Sequence, residues 1–482
     1  MEASRRDVLR LGGVALSGAM IGGCAQVARR LPKNEPPEDL SLPSGNVDTT
    51  VRLLNRAGFG PTPGQVAQVK AMGHEVWLNA QFARSSPEDY RLQAQLMRLD
   101  VLRIDGMELR DINEDLLVRQ LNQAALLRGI YSGDQVYERM VDFWTNHFNI
   151  YARKGLAAYR KAMDEKTVVR DHALGKFPHM LRASAHSPAM LAYLDNQFSR
   201  KEAPNENYAR ELMELHTLGV HGGYTQRDVR EVARCFTGWS IQRGFLQRKG
   251  AFFFDEARHD TGEKMVLGHR IPVGGGVEDG EQVLDILAKD PRTAEFVAGK
   301  MCRHFLGDTD SPVKATLAKA YLDTDGDIQS MLRPLFLSKE LLEGPPVAKR
   351  PFDFVVSAMR AVNAESDCSE PLQKHLEQMG QALYQWPMPD GYPDGAQPWT
   401  GSLLARWNFA MALAENKIPG TDTNLKDLAD RTEQKNPVDA ASSLVFTRKL
   451  DPDEVRTFER HAGQDVNKAA ALMLASPEFQ WR

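Results

Sequence analysis

Residues 204–240, PNENYARELMELHTLGVHGGYTQRDVREVARCFTGWS, contain the clearest fold signals in the chain. Asn205 is a favoured N-cap residue, and Gly219 suits the left-handed position just beyond the end of a helix. Thr225 and Asp228 resemble a capping box that opens the next helix. The stretch therefore predicts a helix, a glycine loop and a second helix.

Helical periodicity continues through the chain from Thr49 onward. Apolar residues recur at helical spacing in runs such as Val136, Met140 and Phe143. Further helix starts are indicated where a capping residue precedes a proline, at Ser187-Pro188, Asp290-Pro291 and Ser476-Pro477. We therefore predict a mainly α protein with one large multi-helix globular body.

One segment interrupts the helical pattern. Residues 250–274, GAFFFDEARHDTGEKMVLGHRIPVG, combine an aromatic run, a turn-rich centre at Thr261-Gly262 and a short apolar stretch at 265–267. These signals predict a small β-hairpin inserted in the helical body.

Composition limits the class of protein. The chain has 482 residues, of which 42% are hydrophobic and 26% charged, which is typical of a folded globular protein. Its formal net charge of −4 lacks the basic excess that binding to a phosphate backbone requires. We therefore expect no nucleic-acid partner.

Cysteine is scarce, with four residues and no CxxC pair. A Cys235–Cys302 or a Cys302–Cys368 disulfide stays open for a protein in an oxidising compartment. Buried free thiols are the favoured interpretation.

The N-terminus has the form of a signal peptide. The uncharged run 11–23, LGGVALSGAMIGG, is too short to span a membrane, since a bilayer core needs about 20 apolar residues. Arg5 and Arg6 before it match the twin-arginine pattern, which is read by a translocase that exports folded proteins. We therefore expect the twin-arginine translocase as a partner, and the periplasm or cell envelope as the location.

Two cleavage sites compete at the end of this signal. Gly22-Gly23-Cys24 resembles a lipobox, in which the thiol of Cys24 would receive lipid, whereas Gly23 and Ala25 would suit ordinary cleavage after Ala25. The lone cysteine at the end of the apolar run favours the lipobox, and the lipid would be the only membrane contact we expect. The predicted organisation is a signal peptide at 1–24, a flexible tether at 25–48 and the helical body at 49–482.

Polar residues on the predicted first helix of the 204–240 stretch suggest a metal site. Glu211 and Glu214 are three residues apart and can bind one cation, with His216 close by. At about 100° per residue, however, the Glu-x-x-Glu-x-His spacing turns His216 away from the carboxylates. Structural roles stay open, because Arg210 can pair with Glu214 and because histidine on an apolar face is commonly a core residue.

A second candidate lies in VDFWTNHFNI, residues 141–150, where His147 falls on the aromatic side of a helix. A buried imidazole there needs hydrogen-bond partners. If helices 134–150 and 205–219 pack together, His147 and His216 would converge with Glu211 and Glu214. These four residues are the candidate metal ligands, and a metal ion is the candidate cofactor.

Several motifs together resemble one bacterial family. They are FWTNHFNI (143–150), NENYARELMELHTLGVHGGYTQRDV (205–229), ARCFTGW (233–239), HDTGEKMVLG (259–268) and LASPEFQ (474–480). In this order they resemble the family called domain of unknown function 1800, over about residues 50–480. The resemblance implies an exported helical protein, often encoded beside a sulfatase-like protein, and implies no established active site.

Two hypotheses of function follow. One is an exported assembly or binding protein, whose partner would be the co-exported sulfatase-like protein. The other is a periplasmic metal-dependent enzyme with a Glu/His centre. The chain has no GxSxG, Walker, HExxH or CxxCH motif, which argues against several common enzyme classes.

Overall fold

A computed structural model describes residues 48–86, 89–104, 108–242 and 250–482. Arg5, Arg6 and Cys24 lie outside the described residues, as does nearly all of the predicted tether. Within the described part, helices dominate and strands occur only in two-stranded antiparallel pairs, which confirms the predicted mainly α fold.

The helices before the first strand are mostly short and joined by brief loops. They are α1 (Thr49–Ala57), α2 (Gln65–Met72), α3 (His74–Phe82), α4 (Tyr90–Leu96), α5 (Asp100–Arg103), α6 (Glu114–Tyr131), α7 (Gln135–His147), α8 (Ala158–Asp164), α9 (Phe177–Ala185), α10 (Pro188–Tyr193), α11 (Glu206–Glu211) and α12 (Gln226–Cys235).

The helices after the small strands complete the body. They are α13 (Val277–Lys289), α14 (Pro291–Leu306), α15 (Lys314–Asp323), α16 (Ile328–Phe336), α17 (Lys339–Leu342), α18 (Pro351–Ala361), α19 (Glu370–Gln378), α20 (Leu403–Ala414), α21 (Leu425–Asp430), α22 (Pro437–Val445), α23 (Pro452–Ala462) and α24 (Val466–Ala475).

Two π-helical segments continue α-helices without a break. Glu165–Arg170 follows α8, and Leu212–Thr217 follows α11. Such segments widen the helix locally and occur frequently at functional sites. The second one carries the predicted site residues Glu214 and His216.

The end signals in the 204–240 stretch are confirmed. The Asn205 side chain accepts a hydrogen bond from the Asn207 N–H, and Gly219 adopts a left-handed φ of 83°. Thr225 and Asp228 form the reciprocal capping box that opens α12. Local side-chain chemistry therefore sets these helix boundaries.

Two of the three helix starts predicted from a capping residue and a following proline are confirmed. Ser187 and Asp290 cap α10 and α14, whereas Ser476-Pro477 leads only to a short 3₁₀ turn at Glu478–Gln480. The backbone after this turn pairs with residues 347–349 through Val347 and Lys349. That pairing needs extended chain, so no helix follows.

The predicted β-hairpin is present but is smaller than expected. β3 (Lys264–Val266) pairs with β4 (His269–Ile271) across a turn at Leu267-Gly268. The aromatic strand β2 (Phe252–Phe254) pairs instead with β1 (Trp239–Ile241), and a third pair joins β5 (Glu365–Ser366) to β6 (Thr421–Asp422). The turn therefore lies after the apolar stretch and not at Thr261-Gly262.

The buried apolar side chains form two clusters. The first contains residues between 53 and 341, including those on α7. The second combines Phe59 and residues between 92 and 162 with α18 and the later helices. Cys235, Cys302 and Cys368 are buried free thiols, as the favoured interpretation predicted.

Among the described residues, no helix is both long and apolar enough to cross a bilayer.

Candidate functional site

The structure brings two of the predicted site residues into contact. His147 is the last residue of α7, and His216 lies in the π-helical segment after α11. Their ring centroids are 6.0 Å apart, and both side chains are buried. The two helical segments therefore meet at these histidines, which was the condition for the two residues to converge.

Aromatic side chains enclose the two imidazoles. The Phe148 ring centroid lies 4.5 Å from that of His147 and 5.0 Å from that of His216, and Trp144 packs edge-on against His147 at 5.3 Å. Phe148, the first residue after α7, therefore contacts both imidazoles, whereas Trp144 contacts His147. The pair thus occupies an apolar interior.

Hydrogen bonding fixes the tautomer of one imidazole. The Nε2 atom of His147 lies 3.2 Å from the carbonyl oxygen of His216, so it must carry the proton and donate. The Nδ1 atom of His147 is then a bare acceptor. Among the described residues, neither this atom nor Nε2 of His216 has a hydrogen-bond partner.

The surroundings keep both imidazoles neutral. Burial, followed by the positive charge of Lys300, lowers the pKa of His216 to about 3 and that of His147 well below its ordinary value. Burial disfavours the charged form of an imidazole, and the nearby positive charge of Lys300 disfavours it further. At neutral pH the pair therefore offers lone pairs and hydrogen bonds, but no positive charge.

Glu211 and Glu214 do not join the histidines. Within the described chain, neither carboxylate makes a hydrogen bond to either imidazole, and Glu214 accepts one from the Tyr224 hydroxyl at 3.4 Å. Burial raises the pKa of Glu211, and the neighbouring Glu214 raises it further. The predicted residues thus form a histidine pair and a separate glutamate pair.

The backbone of this segment is π-helical and not α-helical. The Leu218 N–H donates to the Met213 carbonyl, five residues earlier. The Thr217 hydroxyl likewise donates to the Leu212 carbonyl at 2.7 Å. The wider turn changes the direction of His216 relative to the carboxylates.

The positions of the possible metal-binding side chains bear on the metal-site hypothesis. Over the described ranges, no group of three or more His, Cys, Asp or Glu side chains is placed so that it could hold a metal ion.

A loop of residues 384–394 packs against the end of α7, where His147 lies. Asn149 Nδ2 donates to the carbonyl oxygens of Trp386 and Met388, at 3.0 and 2.6 Å. The Asn146 side chain bonds the backbone of Tyr392 in both directions, at 2.8 and 2.7 Å. The asparagines of FWTNHFNI therefore hold the loop against the end of α7.

Sequence reasoning missed a third histidine beside this loop. His304 on α14 is buried, and its Nδ1 lies 2.8 Å from Oδ1 of Asp394. Burial lowers the pKa of His304 to about 4, although Asp394 opposes that effect. Lys300, one helical turn earlier, also has its pKa lowered by burial, to about 8. The i, i+4 spacing of Lys300 and His304 was the available sequence signal, because it places the two side chains on one face of a helix.

A buried ion-pair network was missed as well. Arg139 and Asp142 on α7 bind Asp353 and Arg350 respectively, and the Arg350 Nε lies 3.3 Å from Asp353 Oδ2. Burial opposes ionisation, but the two arginines hold the pKa of Asp353 well below its ordinary value. The sequence signal for this network was Asp353, a charged residue inside the apolar run of α18.

This network joins the two apolar clusters. Arg139 belongs to the helix that supplies Met140 and Phe143 to the first cluster, whereas Asp353 lies between Phe352 and Phe354 of the second. Charged side chains therefore replace apolar packing at the boundary between the clusters.

The fold and these sites define a mainly helical protein with a buried histidine pair and a buried ion-pair network. The model of the family described as "Protein of unknown function (DUF1800)" matches residues 52–481. The chain belongs to this family, and the resemblance seen in its motifs is confirmed. No curated protein and no solved structure matches the chain.

Proposed function

We propose that the protein is exported to the cell envelope and acts there as a binding partner of another exported protein. The observation that carries this proposal is an exposed apolar surface on α20. The proposal follows the first of the two hypotheses drawn from the sequence.

Three large apolar side chains of α20 face solvent. The exposed fractions are 62% for Leu403, 73% for Leu404 and 45% for Trp407. At about 100° per residue these positions fall within one arc of the helix, which we call the α20 surface. The opposite side of the helix contributes Phe409 and Leu413 to the second apolar cluster.

Such a surface suits protein association. Adjacent exposed apolar side chains at the surface of a soluble domain commonly mark interaction sites, whereas isolated ones are ordinary. Tryptophan is also among the residues that contribute most to interface affinity. Covering the α20 surface would remove Leu403, Leu404 and Trp407 from water.

The proposed partner is the sulfatase-like protein that the family resemblance implies. Arg5 and Arg6 support export in the folded state, which suits a protein that meets its partner with its surface already formed. The location would be the periplasm or the envelope, and lipid on Cys24 would tether the body near the membrane.

Purified proteins can test this partnership. The sulfatase-like protein that the family resemblance implies as a neighbour would be titrated against the wild type and against Leu404→Glu. We expect the charge on the α20 surface to weaken binding at least tenfold. The matched control is Val273→Glu, at an apolar residue that is 71% exposed and lies two residues after β4. Absence of wild-type binding, or equal loss in both variants, would overturn the proposal.

A metal-dependent enzyme is the second candidate. The observation in its favour is that Nδ1 of His147 and Nε2 of His216 have no partner among the described residues. Elemental analysis of protein purified from its native export route tests it. A stoichiometric transition metal that is lost in His216→Ala would favour the enzyme, and metal-free active binding protein would exclude it.

A further inference from the structure

A cavity of about 580 Å³ lies between α1, the second half of α18, the segment that precedes α18 and residues 478–482. Its volume is in the range of small-molecule sites. Phe446, Phe479 and Trp481 give it an apolar wall. It is separate from both the histidine pair and the α20 surface.

Positive charge predominates in the lining. The charged lining residues are Arg52, Lys70, Lys349, Arg448 and Arg482 against Asp48 and Glu478. Both carboxylates are already engaged, because Lys70 binds Asp48 and Arg448 lies 2.7 Å from Glu478. Among the described lining residues, the remaining three cations therefore have no free side-chain carboxylate.

Lys349 is the most unusual of the three. Its side chain is buried, and among the described residues its Nζ makes no hydrogen bond or ion pair. The atom lies 3.6 Å from the centroid of the Phe479 ring. Burial lowers the pKa of Lys349 to about 7, with Asp353 opposing and Arg482 adding to the effect. A cation–π contact alone compensates a buried ammonium poorly.

Arg482 is also buried and incompletely bound. Its Nη2 donates to the His304 carbonyl at 2.8 Å, but Nε and Nη1 have no acceptor in the described chain. Its Nη1 lies 3.9 Å from Oδ2 of Asp353, which Arg139 and Arg350 already engage. The Asp353 carboxylate is thus shared among the guanidinium groups of Arg139, Arg350 and Arg482.

An anion in the cavity would complete these interactions. Buried donors without acceptors are costly, and guanidinium and ammonium groups form strong hydrogen bonds with carboxylates and phosphates. We propose that this cavity binds a small organic anion, whose carboxylate or phosphate lies between Lys349 and Arg482 and whose apolar part packs on Phe479 and Trp481. Arg52 stands in the same lining and adds a third positive charge.

The experiment uses the full chain and two simple probes, benzoate and phenyl phosphate, with benzyl alcohol as a neutral analogue. A ligand that binds only the folded state raises the melting temperature in a saturable way. We expect one or both anions to bind, as measured by calorimetry and by melting temperature, and benzyl alcohol to have no saturable effect. The stronger of the two anions identifies the preferred charged group.

Variants locate the site. Lys349→Met should bind the preferred anion at least tenfold more weakly while melting at the wild-type temperature or above, since methionine suits a buried position. Lys319→Met, at an exposed lysine paired with Asp323, is the matched control and should bind as the wild type does. If Lys349→Met does not fold, Arg52→Gln replaces it with the same expected loss.

Two outcomes would overturn the proposal. One is that neither anion binds the wild type beyond the effect of chloride at equal ionic strength. The other is that Lys349→Met and Arg52→Gln both bind the preferred anion with wild-type affinity, in which case the site lies elsewhere.

Discussion

The Nε2 atom of His147 lies 3.2 Å from the carbonyl oxygen of His216, although 69 positions separate the two residues in the chain. This contact joins the end of α7 to the π-helical segment after α11. It also gives the buried His147 ring its one hydrogen bond in the described structure. The contact therefore joins FWTNHFNI to NENYARELMELHTLGVHGGYTQRDV, two of the motifs on which the resemblance to the family rests.

Removing His216 should destabilise the protein. His216→Ala would empty space inside an aromatic cluster and disturb the neighbouring His147, so we expect the free energy of unfolding to fall by about 2–5 kcal/mol. Urea unfolding measures this change. The control is His461→Ala, at an exposed residue of α23, which should change stability by less than about 0.5 kcal/mol. Equal effects in the two variants would contradict a packed role for His216.

Stability should decrease in mild acid. The pKa of His216 is lowered to about 3 and that of His304 to about 4 in the folded state. Below about pH 6.5 the unfolded chain therefore takes up protons that the folded chain does not, and the free energy of unfolding falls until the folded-state pKa values are reached. Urea titrations at pH 7, 5.5 and 4.5 would show this slope. His216→Leu removes one of these groups, so its slope should be shallower, and an unchanged slope would contradict the assignment.

The buried ion pair of Arg139 and Asp353 should be sensitive to loss of one partner. Asp353→Asn leaves Arg139 and Arg350 buried without their shared carboxylate, so we expect a loss of about 3–5 kcal/mol in the free energy of unfolding. The exposed Lys319–Asp323 pair is the control, and Asp323→Asn should cost about 0.2–1 kcal/mol. A small effect of Asp353→Asn would show that the network contributes little to joining the two clusters.

Export should depend on the arginine pair. Replacing Arg5 and Arg6 by lysine keeps the charge but removes the pattern that the translocase reads, so the protein should stay in the cytoplasm. Cell fractionation and immunoblotting measure the distribution. Lys33→Arg in the predicted tether is a control that should be exported normally. Undiminished export of the double variant would exclude the twin-arginine route.

Membrane association should depend on Cys24. Cys24→Ala removes the thiol that would carry lipid, and we expect the protein to move from the membrane fraction to the soluble periplasmic fraction. The mass of the mature N-terminus would show whether lipid is attached in the wild type. An equal soluble fraction in both proteins would favour cleavage after Ala25.

The sequence alone determined the features that depend on short-range chemistry. The N-cap at Asn205, the left-handed Gly219 and the capping box of Thr225 and Asp228 were all predictable, because each depends on atoms within a few residues. Helical periodicity likewise gave the mainly α class, and the ordered motifs gave the family. The burial of His147 followed from its position among aromatic residues.

Only the tertiary structure decided which distant side chains meet. His147 and His216 converge because the end of α7 meets the π-helical segment, and a contact between segments so distant in the chain depends on the whole fold. The divergence of His216 from Glu211 and Glu214 was already indicated by the helical spacing. The environment of Lys349 was equally hidden, since a lysine beside an arginine and a proline gives no local sign of burial. Its position against Phe479 and near Arg482 arises from the pairing of residues 347–349 with the chain after the 3₁₀ turn, and such long-range pairing is fixed by the whole fold.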